Sequence, residues 1–453
     1  MQMIFNIKDR PKFGQLIVFA IQQLLAIMAA TIAVPMIIGN GMSTAAALFG
    51  AGVGTLVYVL FTKANSPVFL GSSFAFLGSM AAAFAGGVSM SLGYLGLIIG
   101  AAFAGLVYVI IAIIVKFAGT NWINKLMPAV VIGPTVAIIG LSLAGNAVGD
   151  LAKGSVLNAE GLPVANPLIA ILCGLVTLGV TMLCSTYGKK FIKLIPFIIG
   201  ILAGYAVALI FTIIGNYAGI EGLQIINLSA FTALFDNGVT LNTFISLPDF
   251  TFLTAIDGIK EFNMTYVASI AVAYIPVAFV VFAEHIADHK NISSIIEKDL
   301  LEEPGLSRTL LGDGVGSMLG AFFGGCPNTT YGESVACVAI TRNASVATII
   351  ATAILAILIS LLNPFVAFLS TIPSCVMGGV CISLYGFIAV SGLKMLQKVN
   401  LEENKNLFTV SVILITGIGG LTITFGKVTI TSIACALILG ILTNLMLKNA
   451  KED

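Results

Sequence analysis

Nine consecutive residues, Cys326-Pro327-Asn328-Thr329-Thr330-Tyr331-Gly332-Glu333-Ser334, interrupt a chain that is otherwise almost continuously apolar. They bring a helix-breaking Pro, a permissive Gly, hydroxyls and one carboxylate together. At membrane depth a polar, broken segment is tolerated only where protein buries it or where it lines a cavity. An ionisable residue in such a place marks a functional site by default. The partner carboxylate is Glu284, in Ala283-Glu284-His285-Ile286-Ala287-Asp288-His289. A carboxylate shielded from water is costly to keep charged, so Glu284 and Glu333 are suited both to accept ligand N–H groups and to take up a proton. Asp288 and Asp313, the latter in Gly312-Asp313-Gly314, are further candidates for proton coupling.

The rest of the chain must hold these groups in lipid. Hydrophobic residues make up 58% and charged residues 9% of 453, against roughly 25% charged in soluble domains. Mean hydropathy is +1.08. Together these identify an integral membrane protein, and a formal charge of +1 gives no reason to expect nucleic acid as a partner. The seven Cys show no metal spacing and are read as small core residues. The short basic stretch Met1 to Phe13 precedes an apolar run long enough to span, which predicts no cleavable signal.

Segments of roughly 20 apolar residues fall at about 15–38, 44–62, 91–116, 126–147, 166–186, 192–214, 264–286, 344–370, 374–396, 406–423 and 427–447. Three shorter or interrupted ones lie at about 67–85, 306–324 and 329–341. The total is fourteen. With the N-terminus inside, of the 21 Lys and Arg only Lys153, Lys260 and Lys427 fall outside. Lysines such as Lys63, Lys125, Lys190, Lys193, Lys398 and Lys451 fall inside, a strong positive-inside bias that predicts both termini in the cytoplasm.

The least hydrophobic interval, about 215–263, divides the segments seven and seven. An odd number per half makes the second half inverted relative to the first. Broken segments at matching places in inverted repeats point to the binding site. Here Pro67-Val68-Phe69-Leu70-Gly71-Ser72-Ser73-Phe74 in the third segment matches Pro327 to Glu333 in the tenth. Free peptide N–H groups near Phe74 and Gly332 would serve ligand carbonyls, and Phe74 and Tyr331 offer flat apolar surface. Donors and acceptors alternating around a flat ring describe a nucleobase, uracil especially. Adjacent Gln22 and Gln23 face different sides of the first segment, so one lines the site and the other bridges helices; Gln23 is assigned to the site.

The same residues resemble the nucleobase–ascorbate transporter family, and within it uracil carriers. Similarity runs nearly the whole chain and is densest at Gly71-Ser72-Ser73-Phe74-Ala75-Phe76, Ala283-Glu284-His285-Ile286, Lys298-Asp299-Leu300-Leu301, Pro304-Gly305-Leu306 and Pro327 to Glu333, continuing to Thr341-Arg342. The resemblance implies an all-α polytopic fold of fourteen segments as 7+7 inverted repeats. Short β-strands would occupy segments 3 and 10. Segments 1–4 and 8–11 would form a core, 5–7 and 12–14 a gate. Along the chain, 1–147 would hold the first half of the core with the start of the gate, and 148–263 the remainder of the first gate segments with the outer loop. The second half of the core would occupy 264–370, and the second set of gate segments 371–453.

It further implies uracil held by Glu284 and Glu333, by the main chain at Phe74 and Gly332, and by packing on Tyr331 and Phe74. It implies proton symport (sodium being the alternative ion), no cofactor, an elevator-like movement, a homodimer through the gate, and the bacterial inner membrane. Three departures are visible: Asp288 where uracil carriers usually have His, Gln22-Gln23 for a Gln-His pair, and Ser334 and Ala336 where Asn and Gly are usual. Asp288 resembles purine carriers, whereas Glu333 replaces the Gln usual in them, so xanthine or another purine is the second substrate reading. A sulfate-type anion carrier shares the plan, but paired carboxylates would repel its ligand. His285…His289 resembles an HxxEH zinc motif lacking its Glu. An enzyme is therefore not expected.

Overall fold

The computed structural model describes residues 3–448 apart from 120–121, 123–127, 190, 237, 398 and 426–427. Lys125, Lys190, Lys398, Lys427 and Lys451 lie outside the described residues, as do the first residues of the fifth and fourteenth expected segments. Helices dominate. In the first half they are α1 (Phe13–Ile38), α2 (Thr44–Phe61), α3 (Leu77–Ala83), α4 (Met90–Ala118), α5 (Ala129–Ser142, continued by Ala144–Leu151), α6 (Pro167–Tyr187) and α7 (Pro196–Ala218). In the second they are α8 (Met264–Ile296), α9 (Leu306–Gly324), α10 (Gly332–Thr341), α11 (Val346–Ser360), α12 (Ser374–Leu396), α13 (Asn404–Ile418) and α14 (Ser432–Met446). Among the described residues eight helices are long and apolar enough to cross a membrane, and five more are apolar but shorter. The protein is therefore a polytopic, multi-pass membrane protein.

Local sequence sets the helix starts. Ser43, Ser89 and Asn263 cap α2, α4 and α8 by accepting the backbone N–H three residues on. Pro167 and Pro196 occupy the first positions of α6 and α7, where no backbone donor is lost. α8 runs 33 residues, ten beyond the inner boundary expected near residue 286. Glu284 consequently sits well inside a helix rather than at its fraying end.

The helices pack in two groups. α9 packs on α2 and α4, α11 on α1 and α2, α8 on α4, and α10 on α1. In the other group α12 packs on α5, α6 and α7, and α13 on α5 and α14. Without a hydrophobic drive between helices in lipid, close approach depends on small residues. The α2–α9 contact shows this: a Cβ added at Gly50 would stand 2.5 Å from the Gly320 carbonyl oxygen. Two short strands, β1 (Leu70–Ser72) and β2 (Asn328–Thr330), pair antiparallel inside the first group, against α1, α2, α8 and α9, with Leu70 opposite Thr330 and Ser72 opposite Asn328. A second antiparallel pair, β3 (Ile423–Phe425) with β4 (Val428–Ile430), precedes α14 and was not foreseen from the sequence.

The interval 215–263, expected as an outer loop, holds four short helical pieces, of which Thr251–Gly258 packs on α4. All seven Cys are free, and all but Cys184 are buried, in keeping with core residues.

Gly50→Ala should destabilise the fold by about 1–3 kcal/mol through overpacking against Gly320, read as a lower unfolding temperature in detergent. Gly14→Ala, where nothing lies within 4 Å, should leave that temperature unchanged.

Candidate functional site

The two broken segments meet at the strand pair. Gly71 has no side chain because the Tyr331 ring occupies that space: a Cβ there would lie 2.4 Å from the ring. The Tyr331 hydroxyl donates to the Ser72 carbonyl at 2.7 Å. Thr55 hydrogen-bonds both peptide groups of Leu70, at 2.9 and 3.1 Å. The Ser73 N–H donates to the Pro327 carbonyl at 2.9 Å. Asn328 is clamped between Gly54 and Gly320 and donates to the Gly50 carbonyl at 3.2 Å. From this knot α3, through a short 3-10 turn at Phe74–Phe76, and α10 lead away, so their first turns face the same space.

That space is a cavity of about 360 Å³. Glu284 and Asp288 enter it from α8, one turn apart and therefore on one helix face. Glu333 enters it from the first turn of α10, beside Gly332, Tyr331 and Phe74. The Phe74 ring stands edge-on to Tyr385, with centroids 5.9 Å apart. Asp288 accepts the Thr330 hydroxyl at 2.7 Å, which ties α8 to β2. The opposite wall is apolar: Phe197 of α7 with Leu384, Phe387 and Ile388 of α12. At one end Lys193, Ser185 and Ser391 carry the cavity to exposed surface.

Of the residues expected at the site, Glu284, Glu333, Phe74, Gly332, Tyr331 and Asp288 line this one cavity. Gln23 and Asp313 do not. The Gln23 side chain is 3% exposed, and its amide donates to the Ser334 hydroxyl at 2.5 Å. Ser334 also receives the Phe69 N–H at 3.2 Å. Gln23 is thus the bridging glutamine of the adjacent pair, and the reason is geometric: it faces α10 just behind Glu333. Asp313 sits on α9, fully buried, with its Oδ2 2.6 Å from His285 Nδ1. The zinc-like histidines are similarly engaged: His289 Nε2 lies 2.7 Å from the Tyr58 hydroxyl. Among the described residues no cluster of metal-binding side chains occurs.

Sequence reasoning missed Thr330 as the partner of Asp288, Ser334 as the partner of Gln23, and the whole α7–α12 wall. The wall residues look like any lipid-facing helix position.

The xanthine–uracil permease model, described as a permease family, matches residues 14–425. The uracil permease of Bacillus subtilis (strain 168) is 37% identical over 99% of this chain and 96% of its own length. That of Bacillus caldolyticus is 38% identical over 98% and 94%, and that of Escherichia coli (strain K12) 35% over 98% and 94%. Among solved structures, the transmembrane domain of the cyanobacterial bicarbonate transporter BicA superposes with a TM-score of 0.62 at 13% identity, covering 97% of this chain and 99% of that one. The structure of SLC26A9 gives 0.62 at 12%, covering 97% and 66%. At such identities the likeness is one of fold alone.

Removing Ser334 orphans two buried donors. Ser334→Ala should cost about 1–3 kcal/mol in stability. Gln23→Ala and Ser334→Ala should be non-additive by about 0.5–2 kcal/mol in a double-mutant cycle. Strict additivity in thermal unfolding would show that the two side chains do not share a bond.

Proposed function

We propose that this chain, which belongs to the nucleobase–ascorbate transporter family, imports uracil across the bacterial cytoplasmic membrane by proton symport. Its relatives are named permeases, so the protein is a transporter and not an enzyme. One observation carries the substrate assignment: Glu284 and Glu333, from two different helices, line a single cavity with Tyr331, Phe74 and the peptide groups of a broken segment. Two acceptors for ring N–H groups, main-chain donors for carbonyls and flat surface for the ring match a pyrimidine dione. Gln23 acts through Ser334, holding α10 so that Glu333 faces the ligand.

The family fold supports α1–α7 and α8–α14 as inverted halves of a fourteen-span protein, with β1 and β2 in the matched third and tenth spans. α1–α4 and α8–α11 form the core and α5–α7 and α12–α14 the gate, in line with the packing of the two helix groups. Stretches 1–147 and 264–370 thereby carry the core with the start of the gate, and 148–263 and 371–453 the rest of the gate. Movement of core against gate supplies alternating access, and a homodimer forms through the gates. With both termini cytoplasmic, the cavity end at Lys193 and Ser391 faces the cytoplasm, so this conformation is open inward. Glu284, Asp288 and Asp313 are the carboxylates available for the coupling proton.

Asp288 adds a third acceptor to the cavity and favours a purine such as xanthine as the second reading. An anion substrate is disfavoured. The solved transporters of that kind share only the fold, and three carboxylates in the cavity would repel an anion.

Glu284→Gln and Glu333→Gln should each weaken uracil binding by about tenfold or more, the loss of a charge-assisted bond, with unfolding temperature unchanged; wild-type affinity in both would remove them from the site. In proteoliposomes, uptake of labelled uracil should follow an inward proton gradient and be blocked by excess uracil but not xanthine. Blockage by xanthine would make the purine reading correct. Accumulation that follows sodium and ignores the pH gradient would exclude proton coupling.

A further inference from the structure

α8 presents two chemically different faces. Glu284 and Asp288 look into the cavity, whereas His285 and His289 are both 0% exposed and turn to α9 and α2. His285 Nδ1 stands 2.6 Å from Asp313 Oδ2, and its Nε2 3.0 Å from Thr309 Oγ1. The Thr309 hydroxyl lies 3.1 Å from the Leu306 carbonyl. Asp313 Oδ1 is buried and has no hydrogen-bond partner among the described residues.

Burial, rather than these contacts, decides how many hydrogens the pair holds. The single Thr309 hydrogen can go to the Leu306 carbonyl, with the Thr309 oxygen accepting from Nε2–H, or to a bare Nε2. The 2.6 Å contact needs a hydrogen between Nδ1 and Oδ2, since two bare lone pairs would repel there. A neutral imidazole beside an ionised carboxylate supplies only that one and leaves the pair negatively charged. One proton more brings its net charge to zero. Removing that proton would leave an ionised carboxylate fully buried with at most one donor, an arrangement that costs several kcal/mol. His289 Nδ1–H donates to the His285 carbonyl at 2.8 Å, and its Nε2 lies 2.7 Å from the Tyr58 hydroxyl, which also bonds Ser66.

We propose that the His285–Asp313 pair, bridged to Thr309 and lying outside the ligand cavity, is the store of the coupling proton. This rests on the proton-symport reading above and deepens it: the proton is held behind α8, while Glu284 and Glu333 serve the ligand. The other titratable groups facing the pair are Tyr108 of α4, whose ring lies 6.4 Å from His285, Tyr58 of α2 through His289, and Glu284 and Asp288 on α8 itself. His285 follows Glu284 directly in the chain. Proton loading and ligand loading therefore act on the same helix turn.

The test uses the full chain in proteoliposomes and separates gradient-free exchange of labelled uracil from its accumulation under a proton gradient. If the wild type exchanges no uracil, the transport reading fails and the pair is not what failed. Asp313→Asn should keep exchange within about threefold of wild type and lose accumulation by about tenfold or more. Wild-type accumulation by Asp313→Asn, or equal loss of exchange and accumulation in a protein that still binds uracil, overturns the proposal. Should Asp313→Asn not fold, Thr309→Val decides. It removes the acceptor that Nε2–H needs in the proton-loaded imidazolium form, disfavours the loaded pair, and should move the pH midpoint of accumulation down by about half to one unit. An unmoved midpoint overturns the proposal.

Discussion

The structure depends on closing the backbone groups that two broken segments leave open. Where a helix is interrupted in lipid, each unpaired N–H or C=O costs several kcal/mol, and no water is at hand to satisfy it. Here the breaks at Leu70–Ser72 and Asn328–Thr330 close each other by antiparallel pairing. Side chains and one peptide group close the rest: Thr55 for Leu70, Ser334 for Phe69, the Pro327 carbonyl for Ser73 and the Tyr331 hydroxyl for the Ser72 carbonyl. Glycines make that closure sterically feasible, since Gly54 and Gly320 leave room for Asn328 and Gly71 for Tyr331. Neither broken segment could exist alone. Their meeting point is therefore determined before any ligand chemistry is considered.

Once the strands are joined, the polar groups around them sort by helix face. Residues 284 and 288 share one face of α8, and 285 and 289 the next, so a single turn carries cavity carboxylates on one side and buried imidazoles on the other. The two faces are not independent. Asp288 grips Thr330 of β2 at 2.7 Å, while His285 grips Asp313 of α9 at 2.6 Å. A shift of α8 that loosened one contact would disturb the other, which is the mechanical basis on which the proposed linkage of ligand and proton would rest.

Much of this was legible in the sequence, and for a physical reason. Polar residues are expensive in lipid, so Glu284, Asp288 and Glu333 could be singled out without a structure, and all three line one cavity. The matched Pro67 and Pro327 marked the breaks, because Pro removes a backbone donor wherever it stands. Three things were not legible. Adjacent Gln22 and Gln23 differ only in azimuth, and azimuth depends on the neighbouring helix. The extra length of α8 hid in the polar run after Ile286, which ordinary hydropathy reads as loop. The wall of Phe197, Leu384 and Phe387 carries no compositional signal, since a cavity wall and a lipid face are equally apolar.

That wall bears on how a carrier of this kind moves. Polar contacts are directional and fail when partners slide by an ångström or two, whereas apolar contact is non-directional and survives sliding. In this cavity every carboxylate, and the broken backbone beside them, belongs to the group built on α1–α4 and α8–α11, and the facing surface from α7 and α12 is apolar until Ser391 and Lys193 at its open end. If the first group slides along the second as a body, as proposed, ligand bonds would remain intact. Glycine contacts such as Gly50 against Gly320 lock helices within that group, and the apolar wall places no directional bond across the cavity that must break. The rigid translation proposed for this chain is the movement that such a division of polar and apolar surface would make least costly.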